Sequence, residues 1–204
     1  MSRFCLTNKQ VSYNLNPQSI MKKAIKSYSI QFFKEIIPVV AGILIALFID
    51  NWNAERKDKA YIEQVFSTIH SELKETNEAI SSNIPLQKSL IDSLEFYSTN
   101  QKVAIVDIVM KSKGIYVPNI RINAWKSVSS SKIDLIKYEK VTTLSNIEEL
   151  KTTLNNKTQF LMSYLYSNMN ATDKNTKQTL KMILLDILQT ERTIERTIKL
   201  FGEK

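Results

Sequence analysis

The stretch from Ile36 to Ile49 reads IIPVVAGILIALFI and decides the fold class of this chain. Its 14 residues carry no charged or hydrogen-bonding side chain, and ten of them are Ile, Leu, Val or Phe. As a helix this core covers about 21 Å, and residues 32–52 extend it to about 31 Å, close to the hydrocarbon thickness of a bilayer. Insertion of the large apolar residues is favourable by about 3 to 6 kcal/mol in total. The stretch therefore predicts one transmembrane helix.

The flanks of this stretch set the limits and the orientation of the span. Tyr28 and Trp52 stand where aromatic residues mark the two membrane interfaces, so we predict a span over residues 28–52. Six basic residues and no acidic residue precede Glu35, which favours a cytoplasmic N-terminus. This basic region is too long for a cleaved signal peptide, and no A-x-A pattern follows the apolar core. We predict that residues 1–27 form a basic, largely disordered cytoplasmic leader, with Met21 as an alternative start.

Beyond Trp52 the apolar residues follow helical spacing. One seam recurs at intervals of three and four along a stalk helix, predicted over residues 53–99 as a continuation of the span. Pro85 is expected to kink or interrupt that helix. The seam consists of Ile62, Phe66, Ile69, Leu73, Thr76 and Ile80.

The rest of the chain also predicts helices, joined by one long loop. Gly114 and Pro118 indicate a loop near residues 113–121, while residues 102–110 suit either a helical turn or a short strand. Ser145 and Glu148 have capping-box spacing, which predicts a helix over about 145–167. A last helix is predicted over about 177–201. The sequence thus predicts a mainly α protein: a single N-terminal transmembrane helix that continues into a long stalk helix, with an α-helical bundle ectodomain over residues 53–204.

The last helix carries one acidic residue on its apolar seam, Glu191. The seam otherwise holds large apolar residues at alternating spacings of four and three. The simpler interpretation is an edge position of a solvated bundle. The alternative is a polar position that specifies which helix packs there, as buried polar residues do in coiled coils. The apolar members of this seam are Leu180, Leu184, Ile187, Ile194, Ile198 and Phe201.

The segment from Glu35 to Lys59 resembles a widespread family of uncharacterised single-pass membrane proteins of Gram-negative bacteria. The family pattern is G-[IV]-L-I-A-L-x-x-x-x-W-N-E-x-R-K, and the order Ala54-Glu55 departs from it. Residues 61–76 and 124–136 are similar to two further, less specific family blocks. The resemblance implies a membrane location and a helical ectodomain, and it implies no activity. The matching residues are Gly42, Ile43, Leu44, Ile45, Ala46, Leu47, Trp52, Asn53, Arg56 and Lys57.

Two groups of residues in and beside the span are candidate contact sites. Gly42 and Ala46 form a small-xxx-small pair that allows two helices to approach closely, and Pro38 and Ile49 fall on roughly the same face. At the outer interface, Trp52, Asn53 and Arg56 suit either simple anchoring at the headgroups or a docking patch for a partner. Together with the stalk seam, the span face predicts an oligomer, although the seam could equally pack against helices of its own chain.

Composition excludes most catalytic and cofactor chemistry. With one Cys, Cys5, and one His, His70, the chain has neither an intramolecular disulfide nor a site that needs two histidines. Three glycines are too few for phosphate-binding or dinucleotide-binding loops, and no G-x-S-x-G is present. The net charge of +8 is concentrated before the span rather than in a nucleic-acid groove. We expect no enzyme activity, no cofactor, no metal and no nucleic-acid partner.

These observations leave a function in the bacterial envelope. We expect a membrane-anchored interaction or scaffold protein of the inner (cytoplasmic) membrane, with a periplasmic C-terminal domain. Its expected partners are the lipid bilayer and another envelope protein, itself or both. The alternatives are a ligand-binding sensor or transducer that acts through a partner, since few residues precede the span, and a membrane-disrupting effector.

Overall fold

The computed structural model describes the backbone of residues 17–202 and the side chains of residues 32–202. In this part of the chain the fold is mainly α, as predicted, and contains no strand. The chain divides into two compact units, residues 1–56 and residues 57–204. The helices are α1 (Pro17–Phe96), α2 (Ile105–Lys111), α3 (Asn123–Ser129), α4 (Tyr138–Asn168) and α5 (Lys174–Gly202), with a 3-10 turn at Ile133–Leu135.

The first unit, within its described residues, consists of the N-terminal part of α1, up to Arg56. Within α1 lies a segment long and apolar enough to cross a membrane, with a mean hydropathy of 2.3 over its most apolar window, and none of that window is buried in protein. α1 begins at Pro17, so residues 17–27 of the predicted leader are helical in the structure, and the prediction of a basic, largely disordered cytoplasmic leader stays a prediction. Residues 1–16 lie outside the described residues.

In the second unit, α1, α4 and α5 pack side by side around an apolar core. Glu95 of α1 pairs with Lys181 near the start of α5, while Phe66 stacks on Phe201 near its end, so α1 and α5 are antiparallel. A short turn after Asn168 reverses the chain between α4 and α5. The apolar positions predicted for the last helix are all buried, which confirms their spacing.

Two helix boundaries differ from the sequence expectations. α1 continues through Pro85 to Phe96, so of the predicted kink or interruption at Pro85 the interruption is wrong, and the kink stays a prediction. A proline removes its own backbone donor and its ring crowds the carbonyl four residues earlier, but Ile80 and Leu90 on either side are fully buried, and their burial holds both parts of the helix on the core. α4 begins at Tyr138, with Lys137 and not Ser145 as its N-cap residue. Ser145 therefore lies inside the helix, and the capping-box spacing was misleading.

The segment between α2 and α3 crosses the surface of α1 and is fixed there by polar side chains. The Thr76 hydroxyl, fully buried, accepts a hydrogen bond from the Arg121 backbone N–H at 2.9 Å and donates one to the Arg121 carbonyl at 3.3 Å. Glu72 accepts a hydrogen bond from the backbone of Ala124 at 3.1 Å, in the first turn of α3. The predicted loop near 113–121 is therefore an extended segment held against α1.

Candidate functional site

A wide, open groove lies along the last three turns of α1 in the second unit. It has a volume of about 720 Å³ and mixes small polar, charged and aromatic side chains. Phe96 stands at its end with 78% of its surface exposed, an unusual position for a large aromatic residue in a folded domain. We call this the α1 groove. It is lined by Pro85, Lys88, Ser89, Asp92, Ser93, Phe96 and Tyr97.

The aromatic end of the α1 groove is held in place from the side. The rings of Phe96 and Tyr97 meet edge to face, with centroids 4.9 Å apart. The ammonium group of Lys111 lies 4.8 Å from the centre of the Tyr97 ring, a cation–π distance. The Ser112 hydroxyl lies 3.3 Å from that of Ser93, which ties the end of α2 to the groove. The groove is thus a preformed surface and not a frayed helix end.

The C-terminal end of α1 is closed by a buried lysine from α5. Lys177 has no exposed surface, and its Nζ donates hydrogen bonds to the backbone carbonyls of Tyr97 at 3.0 Å and Asn100 at 2.7 Å. Removal from water lowers the pKa of Lys177, and the nearby Asp173 partly opposes that effect. A cation at a helix C-terminus also interacts favourably with the helix dipole. Lys177 therefore serves to hold the turn after α1, beside the groove.

Glu191 is also fully buried, and it meets α1 at Gln87. The Gln87 amide nitrogen donates to Glu191 Oε1 at 2.7 Å and to the Tyr116 carbonyl at 2.8 Å. Glu191 Oε2 and Gln87 Oε1 have no hydrogen-bond partner among the described residues. Burial raises the pKa of Glu191 to about 7, although the hydrogen bond from Gln87 lowers it. The interpretation of Glu191 as a solvated edge position is wrong; it is a polar position that pairs α5 with α1.

The predicted contact residues of the span all lie on α1, with exposed side chains. No other part of the described chain covers Pro38, Gly42, Ala46 or Ile49. A methyl group added at Gly42 would meet no atom within 4 Å. Close approach of a second helix at this face stays a prediction.

The predicted interfacial residues are likewise exposed. Trp52, Asn53 and Arg56 lie on the same helix, and Trp52 has 59% of its surface accessible. No hydrogen bond or ion pair involves these three side chains within the described residues. Their role as anchors or as a docking patch stays a prediction.

The stalk seam packs into the core of its own chain. Ile69, Leu73 and Ile80 are buried, and Ile62 and Phe66 are half-buried against the same core. Ile69, Leu73 and Ile80 are therefore covered by their own chain, whereas Ile62 and Phe66 keep part of their surface exposed. An oligomer formed through the seam or through the span face stays a prediction.

The one histidine and the carboxylates are the residues from which a metal site could be built. His70 is exposed and lies beside Phe201, with the two ring centres 5.2 Å apart. No group of three or more His, Cys, Asp or Glu side chains within residues 32–202 is placed to hold a metal ion. The absence of enzyme activity stays a prediction.

Comparison of the chain with known protein families, with curated proteins and with solved structures finds no match. The family resemblance of the span motif therefore stays a prediction.

The sequence did not predict the α1 groove. It also did not predict the burial of Lys177, which binds the carbonyls after α1, or of Gln87, which binds Glu191. Lys177 is one of many lysines, and no sequence signal separates it from those on the surface. Glu191 was the exception, because an acidic residue on an otherwise apolar seam is visible in the pattern.

Proposed function

We propose that this chain is a membrane-anchored docking protein without catalytic activity. Its apolar α1 segment holds it in a bilayer, and its helical domain binds a second protein through the α1 groove. The basic residues before the span and the resemblance of the span motif support a bacterial inner membrane with the helical domain on the periplasmic side.

The α1 groove is the observation that carries this proposal. Interface centres are enriched in exposed aromatic residues on a rigid support, and Phe96 on a fixed helix end fits that description. Burying a side chain of this size on a partner contributes about 1.5 to 3 kcal/mol. Phe96 is not among the residues that form or cover the core, so packing within the chain does not explain its position.

The lining of the groove indicates what kind of partner it fits. Ser89 and Ser93 are small and leave room on the α1 surface, while Lys88 and Asp92 add one charge of each sign at the rim. A helix or extended segment with one large apolar side chain for Phe96, and polar residues of both signs beside it, would match this lining. A highly charged partner such as nucleic acid would not.

Site-specific photo-crosslinking in native membranes tests the proposal. A photoreactive phenylalanine analogue at Phe96 should give an adduct of one defined mass, whose second component mass spectrometry identifies. Phe160 on α4 is the matched control, because it is also exposed, at 60%, and lies outside the groove. Adducts of the same mass and yield at both positions, or no adduct at Phe96, would contradict the proposal.

A substitution that fills the groove gives a second test. Ser89→Arg places a long side chain on the groove floor and should remove the Phe96 adduct. Ser82→Arg is the control, because Ser82 is exposed on the same helix and does not line the groove. Both variants should keep the helical circular dichroism spectrum, since neither residue is buried.

A further inference from the structure

A second exposed apolar cluster lies far from the α1 groove, in the turn that leads into α4. We call residues 132–138 the interface turn. Ile133, Leu135 and Tyr138 are 44%, 43% and 82% exposed, so three large side chains within six residues face solvent. Single exposed apolar residues are common in proteins, whereas a cluster of them marks a surface that binds something.

The backbone of the interface turn is held firmly while its apolar side chains point outward. The Ile136 side chain between them is buried in the core, and its backbone N–H donates to the Ile133 carbonyl at 3.1 Å. At the start of the turn, Lys132 forms an ion pair with Asp58 of α1. The exposure of the three apolar residues is therefore a property of a fixed turn and not of a loose loop.

The ion pair also ties the interface turn to a residue that follows the proposed span closely in the sequence. Asp58 follows Trp52 by six residues, and six residues reach at most about 20 Å in any conformation. The headgroup layer on each side of the hydrocarbon core is about 5 to 8 Å thick. The residue that holds the interface turn is thus tied by a short piece of chain to the residue expected at the membrane surface.

The composition of the interface turn matches a lipid surface. Lys137 stands next to the apolar residues, the ammonium group of Lys132 is paired with Asp58, and Asp134 is the one acidic residue of the turn. A lysine with apolar neighbours, such as Lys137, can bury its stem while its ammonium group contacts a phosphate, and tyrosine is favoured at the membrane interface because it too has an apolar body and a polar tip. Juxtamembrane basic residues add attraction to anionic lipids.

We propose that the interface turn inserts Ile133, Leu135 and Tyr138 into the headgroup layer of an anionic bilayer. This second contact would attach the helical domain to the membrane that the span crosses, and it rests on the membrane anchoring in the proposed function. The lipid surface, and not a protein, is the partner of this turn.

Fluorescence quenching in proteoliposomes tests this inference with the full chain. In a Cys5→Ser background, single cysteines at Leu135, Ile45 and Phe160 are labelled with an environment-sensitive dye and reconstituted into phosphatidylglycerol–phosphatidylethanolamine vesicles. Nitroxide labels near the headgroups should quench the dye at Leu135→Cys and shift its emission to the blue. Deep nitroxide labels should quench Ile45→Cys in the span, and neither label should quench Phe160→Cys.

The three positions separate the possible failures. Quenching at residue 45 without quenching at residue 135 overturns the inference and leaves membrane anchoring intact. No quenching at residue 45 refutes the anchoring itself, and the inference falls with it. As a second variant, Ile133→Asp with Leu135→Asp should abolish headgroup quenching of a dye at Tyr138→Cys, with an unchanged circular dichroism spectrum. Persistent quenching in that variant would also overturn the inference.

Discussion

The buried pair of Glu191 and Gln87 predicts an unusual pH dependence of stability. Glu191 has no exposed surface and a pKa raised to about 7, whereas in the unfolded chain it titrates near its ordinary value of 4.5. Between these two values the folded chain holds a proton that the unfolded chain has already released. The free energy of unfolding therefore falls as the pH rises from about 4.5 to about 7, and this contribution stays flat above that.

The size of the effect follows from the shift. At about 1.4 kcal/mol per pH unit, a rise from 4.5 to about 7 corresponds to about 3 kcal/mol lost between acid and neutral pH. Glu191→Gln removes the charge and keeps the shape, and its amide can bond to Gln87 at any pH. We expect this variant to match the wild type near pH 4.5 and to be more stable by up to about 3 kcal/mol at pH 8.

Denaturant unfolding of the full chain in detergent at several pH values measures this difference. Trp125 is buried in the core and reports unfolding by its emission, provided that Trp52, the other tryptophan, is replaced in a Trp52→Phe background. Glu195→Gln is the matched control, because Glu195 lies one turn further along α5 and pairs with Lys199 at 3.0 Å near the surface. Its effect should stay below about 1 kcal/mol at every pH.

Two results would refute the reasoning about Glu191. One is a Glu191→Gln variant that is less stable than the wild type at pH 8, which would mean that the carboxylate contributes favourably. The other is a wild type and a Glu191→Gln variant with parallel pH profiles between pH 4.5 and pH 8, which would show that Glu191 does not titrate in this range.

Three further predictions concern other parts of the chain. Lys177→Met leaves the carbonyls of Tyr97 and Asn100 unpaired and should lower the free energy of unfolding by about 1 to 3 kcal/mol in the same denaturation assay. The control Lys181→Met should lower it by less than about 1 kcal/mol, because Lys181 pairs with the exposed Glu95. Equal losses in the two variants would contradict the capping role of Lys177. Thr76→Val deletes two hydrogen bonds to the Arg121 backbone, so it should lower the free energy of unfolding by about 1 to 3 kcal/mol and speed amide exchange around residue 121. The control Thr68→Val, at an exposed position, should change neither quantity. Amide protection that survives Thr76→Val would disprove the role of the Thr76 hydroxyl. If the span face of Gly42 and Ala46 pairs helices, Ala46→Cys in a Cys5→Ser background should form disulfide-linked dimers in native membranes. Leu44→Cys, on another part of the helix surface, is the control. The absence of any dimer of the Ala46→Cys variant would exclude pairing through this face.

Periodicity predicted the helical segments well because each long helix has to bury a continuous apolar face. For this reason the spacing of apolar residues predicted the buried face of α5 from Leu180 to Phe201, and the seam that contains Ile69, Leu73 and Ile80. Local signals were less reliable. The capping-box spacing at Ser145 suggested a helix start and the proline at position 85 a kink or an interruption, yet α4 begins before Ser145 and α1 runs through Pro85, because the neighbouring turns pack on the core.

The amino-acid pattern by itself therefore determined the helical class of the protein and the one segment apolar enough to cross a bilayer, since both depend on hydrophobicity summed over neighbouring residues. Only the tertiary structure decided which polar side chains are buried and which apolar ones are not. Gln87 and Glu191 are 104 residues apart, and Lys177 reaches carbonyls 77 and 80 residues away. No local spacing encodes such pairings. The exposure of Phe96 and of the interface turn is of the same kind, because a residue is exposed only when no distant part of the chain folds over it.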